Sequence, residues 1–491
     1  MPDDHAVATL TRTAAPLHAL PRTRALPRPP LTLLPPLTRR HDLVVAACCH
    51  PFQAQPVDGE PLRPSTGGLA NAMVPALRGA SAGWVGVATD DRADGEHGSL
   101  SVTTAVVDHD VYDLFYNGFA NSTIWPLFHD NIRPPQYCAD SWHAYRSVNE
   151  SVAARVAAHT EQNGCVWVHD YQLQLVPALV RKRRSDVRIG YFHHIPFPPV
   201  ELFAKLPWRD ELLRGLLGAD LVGFQTVDDA RNFVAAARRF VRARGSRTRL
   251  VVGGRHIDVG VFPITIDTQA IRETATSLTT QLRANELRLQ VGRPKTLLLG
   301  VDRLDYSKGI DQRLLALQQL LRSGVLDPSE CVMIQVAIPT RGAIGEYADT
   351  RERVEQLVGE INGEFATVGR PIVHNIHRKV AFDELIALYR AADVMIVTPF
   401  RDGMNLVAKE YVASRVDRAG ALVLSEFAGA ANELGDAYIV NPHDLDSLCA
   451  GIETAVKADG AEQKRRMRAL QRIVLRHDIH HWASSFLDAL G

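Results

Sequence analysis

An α/β fold with two doubly wound parallel sheets is what this sequence predicts, and three observations carry the prediction. From residue 43 onward, short β-rich runs alternate with helical patterns, the rhythm of a parallel sheet covered by helices. The rhythm restarts after a boundary near Pro263 to Asp267. The chain has 491 residues, more than a single hydrophobic core accommodates, so it divides into two or more domains.

The elements follow in order. Residues 1–40 stand apart: Thr11 to Arg40 is rich in Pro, Arg, Leu and Ala, with Pro29-Pro30 and Pro35-Pro36 and no acid between Asp4 and Asp42. That composition predicts a disordered or polyproline-like extension, and it lacks the apolar core and small-residue cleavage site of a targeting segment. In a first domain, residues 41–265, Leu43 to Cys48, Cys165 to His169, Arg188 to His193 and Asp220 to Phe224 are candidate strands, with helices over Ser141 to Thr160 and Val227 to Val241. In a second domain, residues 266–476, the strands are Thr296 to Val301, Val332 to Ala337, Val394 to Val397 and Ala421 to Leu424. Residues 477–491 predict a helix that packs back on the first domain. The cleft between the domains is the expected ligand site.

Composition excludes several classes. Lys plus Arg and Asp plus Glu each number 55, so bulk charge points to neither nucleic acid nor membrane. No apolar run reaches the ~18 residues that span a bilayer. Six cysteines without a CxxC pair predict a reduced, cytoplasmic protein rather than a disulfide framework. No clustered Cys/His set suggests a metal, so neither metal nor other cofactor is expected.

The candidate site residues lie at strand ends. Arg401-Asp402-Gly403-Met404-Asn405-Leu406-Val407-Ala408-Lys409-Glu410 follows the run Val394 to Val397, and Asn405 to Ser414 reads as a helix. A glycine and a helix N-terminus at the carboxyl end of a parallel strand suit a phosphate. Asp402 would repel one, so it suggests a second group to grip, such as sugar hydroxyls. Glu410, about two turns along the helix, is placed for another hydroxyl pair. Arg303 and Lys308 share the loop after Thr296 to Val301 and supply the cations a pyrophosphate leaving group needs. In the first half, Gly67-Gly68 allows close backbone approach to a ligand. Asp170 and His194 end two strands, and Tyr116 and Trp125 belong to a run of aromatics and amides suited to a sugar face. Arg341, after the strand ending near Ala337, is a candidate anion ligand.

Taken together, these segments resemble the trehalose-6-phosphate synthase family of retaining GT-B glycosyltransferases. The resemblance runs from about residue 43 to the end. It rests most on His169-Asp170-Tyr171, His194-Ile195-Pro196-Phe197-Pro198, Gly223-Phe224-Gln225-Thr226, Arg303 through Gly309, Arg401 through Tyr411 and Leu424 through Ala430. The resemblance implies transfer of glucose from a nucleotide sugar, usually UDP-glucose with GDP-glucose as the alternative, to glucose 6-phosphate. It implies a catalytic set of Arg303, Lys308, Asp402 and His194. Gly67, Gly68, Gly403, Met404, Asn405, Leu406 and Glu410 fall on the donor side, and Tyr116, Trp125, Asp170 and Arg341 on the acceptor side. It implies no metal and small-molecule partners only, and it leaves the oligomeric state open.

The sequence departs from that pattern mainly on the acceptor side. Where the family's first strand ends in Ser-Asn-Arg, this chain reads Ala47-Cys48-Cys49-His50, so Cys49 replaces an arginine that binds the acceptor phosphate. A neutral thiol does not substitute for a guanidinium. Val87, Gln172 and Thr265 stand where the family usually has Trp, His and Gly. Two further readings therefore accompany trehalose 6-phosphate synthesis. One keeps the donor chemistry with a different sugar, sugar-phosphate or cyclitol acceptor. The other is a non-catalytic sugar-phosphate sensor, which predicts damaged donor motifs, and here they are intact.

Overall fold

The computed structural model describes residues 40–52, 73–77, 81–90, 94–340 and 345–491; the Pro- and Arg-rich head, residues 1–39, lies outside them. The first half builds one sheet from β1 His41–Ala46, β2 Ala82–Ala88, β3 Gly95–His97, β4 Leu100–Val106, β5 Thr160–His169, β6 Arg188–Phe192, β7 Leu221–Phe224, β8 Arg244–Gly245, β9 Arg249–Val252 and β10 Arg255–Val261. Their order is β3-β4-β2-β1-β5-β6-β7-β10-β9-β8. The strands from β4 to β10 run parallel, and only the hairpins at the two edges are antiparallel. Val44, Val45, Val166, Trp167, Ile189 and Val222 are wholly buried, because helices cover both faces of a parallel sheet and leave no polar side.

The second half builds a six-stranded, all-parallel sheet in the order β13-β12-β11-β14-β15-β16. Its strands are β11 Thr296–Arg303, β12 Cys331–Ile338, β13 Val373–Ile376, β14 Val394–Val397, β15 Ala421–Ser425 and β16 Tyr438–Val440. Strand order reverses between β11 and β14, and between β1 and β5 in the first sheet. At such a switch point the loops leaving the carboxyl ends diverge and open a crevice. Arg303 ends β11, and Asp402 follows shortly after β14.

Several side chains join the halves. The helix Ile479–Leu490 buries Ile479, Trp482, Ala483, Phe486 and Leu490, a single apolar stripe at helical spacing. Phe486 stacks on Trp167 of β5, centroids 4.8 Å apart, and Trp482 Nε1 donates to the Phe262 carbonyl at 3.0 Å. Lys409 is buried; its ammonium donates to the Ile264 carbonyl at 2.9 Å and to Glu433 at 2.6 Å. Among the described residues no helix is long and apolar enough to cross a membrane.

Candidate active site

The cationic loop after β11 is shaped by its own side chains. Asp305 is fully buried and accepts from the Ser307 N–H at 3.0 Å and the Ser307 hydroxyl at 2.9 Å, which turns the chain through Tyr306–Lys308. Gly309 then adopts φ 59°, and a Cβ there would lie 2.3 Å from the Thr398 carbonyl oxygen, so only glycine lets this loop lie against the end of β14. The Phe400 N–H closes the pair of loops by donating to the Ser307 carbonyl at 2.8 Å.

Arg313 fixes the base of both loops. Its guanidinium is entirely buried, 2.7 Å from Asp302 and 3.1 Å from Thr398 Oγ1. It also reaches Gln335 and the Lys308 carbonyl, each at 3.3 Å. A buried guanidinium persists only with such a set of acceptors.

On this base Lys308 Nζ meets Asp402 Oδ2 at 2.6 Å. Asn405 Nδ2 donates to the same oxygen at 3.1 Å. Burial alone would push the Asp402 carboxyl up, but Lys308 and further polar neighbours outweigh it and hold Asp402 below the usual carboxylate range. The helix after this loop runs Leu406–Ser414, and Asn405 is its cap: at φ 80° its side-chain oxygen accepts from the Ala408 N–H at 3.1 Å. That cap orients the helix N-terminus, with its free N–H groups, beside the ion pair. The loop is braced by the Gly429 N–H to the Asp402 carbonyl and the Ala430 N–H to the Met404 carbonyl. Glu410 accepts from the Tyr389 hydroxyl at 2.9 Å, and burial pushes its carboxyl up.

The first half contributes from the ends of β5 and β6. Asp170 sits at φ 72°, ψ 171°, a conformation that costs a non-glycine residue about 1–3 kcal/mol and collects at functional sites. The strained residue ties two strand ends together. Its N–H donates to the Phe192 carbonyl at 2.8 Å, and its carboxylate accepts from the His194 N–H at 3.2 Å. His194 Nε2 lies 3.0 Å from His169 Nδ1, and burial, followed by the neighbouring histidines, keeps the His194 imidazole neutral. Tyr116 lies in a wide π-helical segment, Leu114–Ile124, and stacks on Tyr112 at 5.5 Å.

Two contacts bring these groups together across the cleft. The Arg303 guanidinium lies 5.2 Å from the Trp125 ring centre, a cation–π distance. The Gly403 backbone runs against the His194 carbonyl, so close that a Cβ would lie 2.0 Å from its oxygen. Arg401 reaches over the same seam, 3.6 Å from Asp130 and 3.8 Å from Asp229. Arg303, Lys308, Asp402, Gly403, Asn405, Trp125, Asp170 and His194 therefore form one linked surface. Gly67, Gly68 and Arg341 lie outside the described residues. Arg313, Asp305, His129 and Arg401 are members that motif reading missed; Asp305 and Arg401 lie within the family-like segments named above, but with no partner evident from the sequence.

Cys49 is half-buried at the end of β1. Burial pushes its thiol up to about 12, with Asp170 adding to the shift, so it is uncharged at neutral pH. His50 lies 3.3 Å from Thr104 Oγ1, and burial pushes its pKa down, so it brings no positive charge to replace the missing arginine.

Three wholly buried histidines make the protein sensitive to acid. Burial lowers His129 to about 4 and His169 and His193 to about 3. A lowered histidine stabilises the fold fully above its unfolded value of about 6.5 and loses that contribution as pH falls toward the folded value. The melting temperature is expected to be flat above about pH 7.5 and to fall steadily from about pH 6.5 to about pH 4. A profile that stays level through about pH 5 would show that these rings are not held neutral.

The sequence model of Glycosyltransferase family 20 matches residues 56–491. A trehalose-6-phosphate synthase of Mycolicibacterium smegmatis is 49% identical over 439 residues, 87% of each chain. One of Mycobacterium sp. (strain JLS) is 48% identical over 464 residues, 92% of this chain and 96% of its own. A solved E. coli structure bound with UDP-2-fluoro glucose superposes with a TM-score of 0.83 at 33% identity, covering 91% of this chain and 98% of that one. A UDP-forming α,α-trehalose-phosphate synthase from Burkholderia xenovorans, in complex with glucose-6-phosphate, gives 0.84 at 32% identity, covering 91% and 99%.

Proposed function

The chain belongs to glycosyltransferase family 20, and from that premise we propose that it moves glucose from UDP-glucose to glucose 6-phosphate, making α,α-trehalose 6-phosphate. It is a retaining glycosyltransferase with a GT-B fold. The observation that carries the reading is the Lys308–Asp402 pair at 2.6 Å, set at the second sheet's switch point beside a capped helix N-terminus, in loops whose Gly403 and Arg303 meet His194 and Trp125. The choice of UDP-glucose and glucose 6-phosphate is supported by the two solved relatives that bind UDP-2-fluoro glucose and glucose-6-phosphate.

In this reading Arg303, Lys308 and the N–H groups of the Leu406–Ser414 helix hold the donor diphosphate. Asp402 takes hydroxyls of the transferred glucose, and Glu410 takes the ribose. The bond from the anomeric carbon to the diphosphate oxygen breaks, and the bond to the acceptor oxygen forms on the same face. The acceptor hydroxyl's proton passes to the departing diphosphate. The protein supplies position and charge stabilisation rather than a nucleophile, and the closed seam limits loss of the sugar to water. These cations do the work a divalent ion would do, so chelation with EDTA is expected to leave turnover unchanged; loss of activity restored by added metal would contradict this. We place the reaction in a reducing cytoplasm, in keeping with six cysteines and no CxxC pair.

The neutral Cys49 favours a second reading, with the same donor and reaction but another sugar, sugar-phosphate or cyclitol acceptor. One experiment separates the two. Purified protein is incubated with UDP-glucose or GDP-glucose and a panel of sugars, sugar phosphates and cyclitols, and products are identified by mass. Trehalose phosphate as the best product supports the first reading, and turnover only with another acceptor supports the second. Under the first reading, Cys49→Arg is expected to raise kcat/KM for glucose 6-phosphate by about 10- to 100-fold, the worth of one charge-assisted contact. Unchanged or poorer kinetics would mean the phosphate is held elsewhere.

A further inference from the structure

His129 is a buried polar group that none of the roles above uses. It follows the short helix Trp125–Phe128 and is wholly buried. Its Nδ1 lies 2.8 Å from the Trp125 carbonyl oxygen. A carbonyl only accepts, so Nδ1 carries the ring proton. A neutral imidazole with its proton there has a bare lone pair on Nε2, and the Nε2 of His129 is buried without a hydrogen-bond partner. Buried acceptors are nearly always satisfied, and one left open needs an account.

Its surroundings supply one. The charged groups acting on the imidazole are Asp305, Lys308 and Asp402, all from the two loops of the second half that form the donor site. One face of the ring lies on Trp125, centroids 4.0 Å apart, and Arg303 covers that same indole. His129 is thus a first-half residue set among second-half donor groups. Its tautomer is fixed to accept, in a place where Asp402, already committed to Lys308 and Asn405, is an acceptor too. A hexose presents hydroxyl donors in several directions, and one carboxylate does not receive them all.

We propose that His129 Nε2 accepts a hydrogen bond from a hydroxyl of the transferred hexose, which makes His129 a donor-sugar binding residue. The proposal rests on the donor reading above, and the test separates the two. His129→Asn keeps an amide N–H near the Nδ1 position, for the Trp125 carbonyl, and removes the acceptor at Nε2. Wild type and variant are compared with UDP-glucose and with the UDP-2-, 3-, 4- and 6-deoxyglucose donors. The variant is expected to lose about tenfold or more in kcat/KM with UDP-glucose while its affinity for UDP alone is unchanged. With one deoxy donor, the one lacking the hydroxyl that His129 meets, variant and wild type should be equal. An equal deficit with every donor, or no deficit, overturns the proposal. Failure of wild type to use UDP-glucose would instead sink the donor reading. If His129→Asn does not fold, 15N-histidine spectra of the wild type decide. The bare Nε2 resonance should move when UDP-glucose, which carries all of its hydroxyls, binds without acceptor and stay when UDP binds; no movement with the sugar nucleotide overturns the proposal.

Discussion

Replacing Lys308 by Met is expected to lower kcat by about 10²–10³-fold with every acceptor, the worth of one cation aimed at charge that develops in the transition state. The same change destabilises the free protein for a separate reason. Lys308 and Asp402 are both largely buried, with side-chain exposures of 8% and 15%, and removing one partner leaves the other charge uncompensated at a cost of about 3 kcal/mol. In the wild type the carboxyl of Asp402 is depressed. Its contribution to stability is therefore present above the unfolded carboxylate value and lost as pH falls through the folded one. Without Lys308, burial dominates and the carboxyl rises, so the variant's deficit is largest near neutrality and shrinks as Asp402 takes up a proton. The double variant Lys308→Met/Asp402→Asn is expected to recover most of the melting temperature and none of the turnover. Near-normal turnover in Lys308→Met, measured at saturating donor, would remove this lysine from the reaction.

Gly403→Ala is expected to separate binding from catalysis. The added carbon would lie 2.0 Å from the His194 carbonyl oxygen and 3.0 Å from the Ile195 Cα. Both obstacles are backbone, so the relief comes from moving one half against the other. A displacement on the order of 1 Å is enough to cost about 10²-fold in rate. UDP rests on second-half groups in this account, so its affinity should stay within about threefold while kcat/KM falls by about 10²-fold or more. Calorimetric titration with UDP, set beside steady-state kinetics, reads both. Wild-type kinetics in Gly403→Ala would mean that the seam is not closed during turnover.

What was readable in advance was local. The loops after β11 and β14 announce themselves because Arg303 and Lys308 share one loop, and Asp402, Gly403 and a helix start share another. Each signal lies within about ten residues, the range over which caps, turns and strand ends are encoded. The helix there begins at Leu406 rather than Asn405, because the asparagine bonds back to the Ala408 N–H as a cap. β2 escaped notice because Ala82–Ala88 carries two glycines, which weaken a strand pattern. β13 escaped because His374 and Asn375 interrupt its apolar run, and β16 because three residues carry little periodicity.

What was not readable depends on how distant segments dock. The Lys308–Asp402 contact spans 94 positions, and its consequence, a cation and a carboxylate joined in one buried ion pair, is invisible to either motif alone. Arg313 looks like one more helix arginine until the sheet buries it against Asp302, Thr398 and Gln335. Arg401 reads as part of a phosphate loop, yet it points across the seam toward Asp130 and Asp229. On the acceptor side, the thiol of Cys49 was legible as a lost charge. That His50 is turned toward Thr104, and so does not compensate, depends on how β1 packs beside β2 and β4.

The mechanism depends above all on where the departing diphosphate sits. A crystal structure with UDP-2-fluoro glucose bound is the direct measurement. The diphosphate is predicted to lie within hydrogen-bond distance of both Arg303 and Lys308, at the N-terminus of the Leu406–Ser414 helix, with the hexose between Asp402 and His194. A diphosphate bound away from both cations would contradict it.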